Sequence, residues 1–171
     1  MENRTRIIVE ILHAIRDAAP KLHIGIKMNS NDMTTDGIFE DEALQIGVLL
    51  DAAGIDSIEV SGNGTSVRGI TAHEDEAYFA PFATLLARTV DTPVMLVGGL
   101  RSVETMEEIL QNSQIQMLSL SRPLLREPDL PMKMQRGTAT EAKCISCNAC
   151  YSSRFHHCVF RAGDMRKEKA S

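Results

Sequence analysis

The sequence predicts an α/β fold built from parallel (β/α) units, forming half of a TIM barrel with about four strands and a Cys-rich C-terminal tail. Three observations carry this. Helical and extended apolar patterns alternate as α-β-α-β-α-β-α-β-α, an order that implies parallel strands joined by right-handed crossovers. The extended runs are apolar on one face and small or polar on the other. The last two runs each end in residues suited to close backbone approach to a ligand, Gly98-Gly99 and Ser121-Arg122.

The elements follow in order. Ile7, Ile8, Ile11, Leu12 and Ile15 recur at helical spacing between Thr5 and Ala18, and Pro20 stops the run. Leu22 to Met28 reads as the first strand, Asn29 to Gly37 as a polar loop. Phe39 to Ala53 is an amphipathic helix with Gly54 placed to end it. Asp56 to Val60 is the second strand, followed by the glycine-rich loop Ser61-Gly62-Asn63-Gly64-Thr65 and an excursion to about His73. A helix over Tyr78 to Val90 precedes the strand that opens at Pro93. The helical pattern Ser102 to Leu110 and the strand starting at Gln116 complete the series.

Side-chain parity distinguishes a barrel from an open sheet covered on both faces. Leu22, Ile24, Ile26 and Met28 alternate with His23, Gly25 and Lys27. Ile58 and Val60 alternate with Ser57, Glu59 and Ser61, and Leu118 and Leu120 with Ser119 and Ser121. A doubly wound sheet buries both faces and tends to continuous apolar strands, whereas a barrel has helices outside and an interior that tolerates polar layers. The pattern favours the barrel, with an open flavodoxin-like sheet as the alternative. A complete barrel needs about 250 residues and eight strands. Four strands therefore form an open half-barrel, pair with a second copy, or belong to a longer chain. The expected division is a half-barrel over 1–136 and a Cys-rich tail over 137–171.

Composition narrows the function. The 171 residues suffice for one domain with a core, and the net charge of −5 argues against general nucleic-acid binding. No apolar stretch is long enough to cross a bilayer, and the first residues lack a signal-peptide core, so a cytoplasmic location is expected. All four cysteines, Cys144, Cys147, Cys150 and Cys158, lie near the C-terminus. In a reducing compartment that clustering speaks for metal rather than disulfides. Gly98 and Gly99 follow a strand and precede a helix, so their N–H groups can face an anion, and Ser121 and Arg122 offer a hydroxyl and a guanidinium at the corresponding place. Together they read as a two-loop phosphate grip.

Several segments then carry a family resemblance. Glu2-Asn3-Arg4, Gly25-Ile26-Lys27-Met28-Asn29, Val60-Ser61-Gly62-Asn63, Pro93 to Gly99, and Ser121 to Pro131 followed by Cys144-x2-Cys147-x2-Cys150 occur in the order and spacing of the NADH:flavin oxidoreductases. The chain resembles these Old Yellow Enzyme-like FMN barrels, in particular the branch related to dienoyl-CoA reductase and trimethylamine dehydrogenase, from Glu2 to about Cys158.

The resemblance implies strands five to eight of the barrel and an FMN cofactor reduced by NAD(P)H. Lys27 matches the cation beside the flavin N1 and C2 carbonyl. Gly98, Gly99, Ser121 and Arg122 match the phosphate loops, with Ser121 standing where the family usually has glycine. Ser61, with Gly62 and Asn63, would line the same mouth. The histidine or asparagine pair and the proton-donating tyrosine of the family precede its Glu-Asn-Arg motif. Tyr78 and Tyr151 do not match that tyrosine, so no catalytic residue is assigned. His13 and His23 read as structural, and His73 stays uncommitted. The cysteines match the segment that holds a [4Fe–4S] cluster, with a shorter last spacer than usual. Zinc, with His156 or His157 as further ligands, and metal-free thiols are the alternatives. Alone, the chain is expected to bind FMN weakly or not at all, and to find a homo-oligomeric or complementing half-barrel partner. The contrasting reading is a non-enzymatic metal-binding or interaction fragment.

Overall fold

The protein is described from a computed structural model, which covers residues 2–63 and 68–161. They form two compact units. One takes the described residues of 1–65, 78–98 and 109–119; the other takes those of 66–77, 99–108 and 120–171.

The first unit holds a four-stranded parallel sheet in the order β1 (Gly25–Asn29), β2 (Ser57–Ser61), β3 (Val94–Val97) and β4 (Met117–Ser119). The sheet is accompanied by α1 (Glu2–Ala18), α2 (Glu40–Ala52) and α3 (Ala80–Thr89). In α2 the buried residues Ala43, Ile46, Gly47 and Leu50 fall at helical spacing. The helix ends in paired bonds from Gly54 N–H to Asp51 O and from Ile55 N–H to Leu50 O, with Gly54 at φ +82. This is a Schellman stop, and glycine supplies the left-handed residue it requires. Phe82, Ala83, Leu86 and Ala87 are the buried positions of α3. The apolar spacing of α1 overstates its burial: Leu12 is 3% exposed, but Ile7 and Ile11 are 65% and 52% exposed.

One face of the sheet is buried at its centre, with Ile58, Val60, Val94 and Leu96 at most 1% exposed and Ile26 and Leu118 half-buried on the edge strands. Along the opposite face run Lys27, Glu59, Met95 and Met117, all exposed or half-buried. A buried face opposite a partly exposed, polar one is the pattern of half a barrel whose interior is left open and does not fit a doubly wound sheet. Ser57 and Ser61 depart from the simple alternation by being buried, and Ser57 Oγ is 2.9 Å from His23 Nε2. The ladder begins later than the apolar run suggests. Leu22 N–H bonds back to Ala19 O and Ile24 N–H is taken by Asp56 Oδ2 at 2.7 Å, so regular pairing starts where Gly25 meets Ser57.

The second unit contains the start of α4 (Val103–Asn112), then α5 (Arg122–Arg126), α6 (Leu130–Gln135) and α7 (Ala149–Ser152). Ser102 and Glu141 form an antiparallel bridge, flanked by bonds from Val103 N–H to Thr140 O and from Ala142 N–H to Arg101 O, each 2.9 Å. Gly137, at φ +68, follows α6. Among the described residues no helix is long and apolar enough to cross a membrane.

Candidate functional site

In the first unit, Lys27 and Glu59 are register partners on β1 and β2, so their side chains rise from the same face. Lys27 Nζ lies 2.5 Å from Glu59 Oε1, and Ser119 Oγ donates to Glu59 Oε2 at 3.2 Å. The result is a cation, a carboxylate and a hydroxyl in a row across the partly exposed face.

At the C-terminal ends of β1 and β2 the side chains form a second polar group. Asn29 Nδ2 donates to Asp32 Oδ1 at 2.8 Å and to Asn63 Oδ1 at 3.2 Å; Ile38 N–H reaches Asp32 Oδ2 at 3.0 Å. The Ile38 N–H, followed by the Asn29 amide, holds the Asp32 carboxyl below the usual carboxylate range. Ser61, the last residue of β2, is buried, and its carbonyl accepts Ser30 N–H. Most of the glycine-rich loop after Asn63 lies outside the described residues.

Gly98 follows β3 at φ +130. A Cβ there would come within 2.9 Å of Phe79 Cδ2 and 3.0 Å of Tyr78 Cε2, and a Cβ on Gly62 would come within 2.7 Å of Phe79 Cε1. The two rings meet edge to face at 4.7 Å. Phe79 thus seats both glycine positions, and Tyr78 has a packing role that its position in the sequence did not signal.

In the second unit, Gly99 has φ +73 and the N-terminus of α4 is already occupied by an anion of the protein itself. Glu76 accepts Arg101 N–H at 2.5 Å, Ser102 N–H at 3.0 and 3.1 Å, and the Ser102 hydroxyl at 2.7 Å. Burial opposes the charge of Glu76, but these bonds, with the His73 N–H, outweigh it and lower its carboxyl from 4.5. Sequence reading missed Glu76, because nothing local marks a carboxylate that meets its helix 25 residues later. The uncommitted His73 also falls here. Its Nε2 lies 3.1 Å from Glu141 Oε1 and its Nδ1 3.5 Å from Glu104 Oε2, and the Glu141 contact raises its pKa above 6.5.

Two buried arginines grip the cysteine loop. Arg101 donates to Cys144 O at 3.2 Å and to Ser146 Oγ at 2.5 Å, and Arg122 donates to Asn148 Oδ1 at 2.5 Å. Ser121 is exposed while Arg122 is 8% exposed. Cys144, Cys147, Cys150 and Cys158 line one small cavity together with Arg122 and Asn148. Among the described residues, however, no three His, Cys, Asp or Glu side chains converge as metal ligands. The sequence brings the thiols together; the structure does not arrange them as a finished metal site.

The fold is that of a parallel (β/α) barrel in part. The profile of the NADH:flavin oxidoreductase / NADH oxidase family matches residues 1–141. This chain belongs to that family. It is 32% identical over 143 residues to an NADH-dependent flavin oxidoreductase, iliE, of Hypocrea jecorina (strain QM6a), covering 76% of this chain and 35% of the relative. It is 25% identical over 188 residues to a 4,4'-dithiodibutanoate disulfide reductase of Rhodococcus erythropolis, covering 88% and 46%. In fold it is similar to 6-hydroxypseudooxynicotine amine oxidase from Pseudomonas geniculata N1, with a TM-score of 0.72 and 23% identity over 87% of this chain and 23% of that one. The chain therefore spans less than half the length of these relatives.

For the flavin of this family the first unit supplies a cation on an accessible sheet face, whereas the space a side chain at Gly98 would take is already filled by Phe79 and Tyr78. The cation on the open face fits a planar cofactor that becomes anionic on reduction.

Proposed function

We propose that this chain is the FMN-binding part of a flavin-dependent NAD(P)H oxidoreductase. Bound FMN supplies hydride transfer from NAD(P)H to an electrophilic acceptor. The observation that carries the reading is the Lys27 ammonium on the accessible face of a parallel sheet whose other face is buried. A cation at that place stabilises negative charge at the flavin N1 and C2 carbonyl without moving a proton. Gly98 and Gly99 offer backbone N–H groups to the phosphate, Ser121 and Arg122 a hydroxyl and a guanidinium, and Ser61 lines the approach. Glu76 holds the turn that leads from Gly99 into α4. In this reading residues 1–136 are the cofactor part and 137–171 a Cys-rich tail in a reducing, cytoplasmic setting.

In this reading the proton donor and the substrate clamp lie outside these residues. The chain alone accordingly binds FMN weakly and turns over little, and a second copy or a complementing half-barrel raises both. Titration of FMN and riboflavin into the purified chain, followed by flavin fluorescence, tests this. FMN binding tighter than riboflavin binding supports the phosphate grip; no flavin binding, at any protein concentration, overturns the reading.

A second reading concerns the tail and is favoured by the four thiols around one cavity: they hold a [4Fe–4S] cluster or zinc. Iron, sulfide and zinc content of anaerobically purified protein decides it, and a metal-free protein with four reactive thiols sinks it.

A further inference from the structure

The Lys27 ammonium does not stand alone on its sheet face. Glu59 holds it at 2.5 Å with one carboxylate oxygen and receives Ser119 Oγ at 3.2 Å on the other. The Lys27 side chain is 56% exposed and that of Glu59 21%, so the carboxylate sits deeper on the face than the ammonium it holds. A pair of this kind has little net charge when seen from a ligand above it. Its effect on an anionic ligand depends on how completely the carboxylate offsets the ammonium.

We infer that Glu59 is a positioning residue that tunes the reduction potential of the bound flavin, by aiming the Lys27 side chain across the sheet face and offsetting its charge. The inference rests on the flavin reading proposed above. Oxidised FMN carries no charge on its ring and is nearly indifferent to the pair, whereas reduced FMN, when its ring is anionic, senses it. The stronger the offset, the smaller the preference for the reduced form. Ser119 anchors the second oxygen of Glu59 and so keeps the carboxylate turned toward Lys27. No proton is transferred by either group in this role.

The substitution Glu59→Gln removes the charge and keeps both hydrogen-bonding positions, because an amide accepts from Lys27 and can exchange donor roles with the Ser119 hydroxyl. The measurement is the dissociation constant of the chain for oxidised FMN and, anaerobically, for FMN reduced with dithionite. The ratio of the two constants gives the shift in potential by linkage. In E59Q the ratio moves about tenfold toward the reduced form, which is roughly 30 mV for a two-electron couple. Lys27→Met moves it the other way, and in the K27M/E59Q double variant the effect of E59Q falls to about threefold or less. Glu59→Ala repeats the charge removal in case the glutamine variant folds poorly. A purely structural role for Glu59 changes both constants together and leaves their ratio alone. If wild type binds FMN and the ratio is unchanged in E59Q and E59A, the inference is overturned while the flavin reading stands. A full tenfold effect that persists without Lys27 also overturns it. If wild type binds neither form, both the flavin reading and the inference fail.

Discussion

Ser119 on β4 donates a 3.2 Å hydrogen bond to Glu59 on β2 although β3 lies between the two strands. In a flat sheet, strands two apart are separated by about 10 Å, and side chains standing perpendicular to it do not close that gap easily. Curvature helps: on the concave side of a twisted sheet, side chains from alternate strands lean together, as they do inside a barrel. The bond therefore marks the face of Lys27 and Glu59 as the inner wall.

In the Lys27–Glu59 pair on that wall the ammonium is more than half exposed, and ion pairs with an exposed partner contribute about 0–1 kcal/mol. Lys27→Met is expected to change the thermal midpoint by only a few degrees. Affinity for reduced FMN falls at least about tenfold in the same variant while that for oxidised FMN changes little, since a charge-assisted contact to an anionic ring is worth more than a screened pair at the surface. Parallel melts and flavin titrations separate the two effects. Equal affinity for reduced FMN in wild type and K27M removes Lys27 from the site.

Gly98 and Gly54 form an internal control, because both have positive φ but only one is crowded. At Gly54, φ is +82 and a Cβ meets nothing within 4 Å, so Gly54→Ala costs the left-handed strain alone, about 1 kcal/mol. At Gly98 the strain adds to a clash with the Phe79 and Tyr78 rings, for a total of about 2–4 kcal/mol. Urea denaturation of the two variants gives the comparison, and G98A also loses FMN binding. Similar losses for both would mean that the aromatic pair yields freely.

The contrast explains what could be read in advance. Element order, the parallel sheet and the one-sided burial of Ile58 and Val60 follow from periodicities of two and 3.6, which are local properties of the chain. Gly98 was visible as a candidate because glycine after a strand is itself a local signal. Phe79 and Glu76 were not, since each acts on a segment about 20–25 residues away that only the folded backbone brings near. Edge strands were also misjudged: β4 shrinks to Met117–Ser119, because an edge strand gains pairing from one side only. Arg122 was legible as a cation just after the last strand, but its bond to Asn148 was hidden, as side-chain pairing across 26 residues leaves no pattern in composition or spacing.

The titrating groups give stability a defined pH profile. Glu76, Asp32 and Asp56 all have lowered values in the folded protein. A lowered carboxyl stabilises above its unfolded value and loses that contribution as pH falls through its folded one. Acid destabilisation therefore sets in below about pH 4.5, the ordinary value for Glu76, and Glu76→Gln flattens that limb. His73 behaves oppositely. Its raised value means its bond to Glu141 stabilises fully below 6.5 and weakens as pH rises through the folded value. His73→Gln should remove a decline in melting temperature above pH 6.5, and a wild-type profile that is flat there contradicts the assignment.

Asn148 connects the cysteine loop to the proposed phosphate ligand, and its backbone makes a clean test possible. It sits at φ +62 between Cys147 and Cys150, a conformation glycine adopts without cost, and its side-chain oxygen receives Arg122 Nη1. Asn148→Gly thus keeps the loop path and removes the side-chain oxygen that Arg122 bonds, an interaction of about 1.5–3 kcal/mol. If that bond aims Arg122 at the phosphate, FMN affinity falls about tenfold, equivalent to about 1.4 kcal/mol, while riboflavin affinity, which has no phosphate to lose, stays constant. A parallel loss for both ligands would mean that Asn148 only braces the fold. Arg122→Lys adds the complementary test: lysine keeps the charge but not the planar fork, so a phosphate site that depends on bidentate geometry weakens, and one that depends on charge alone does not.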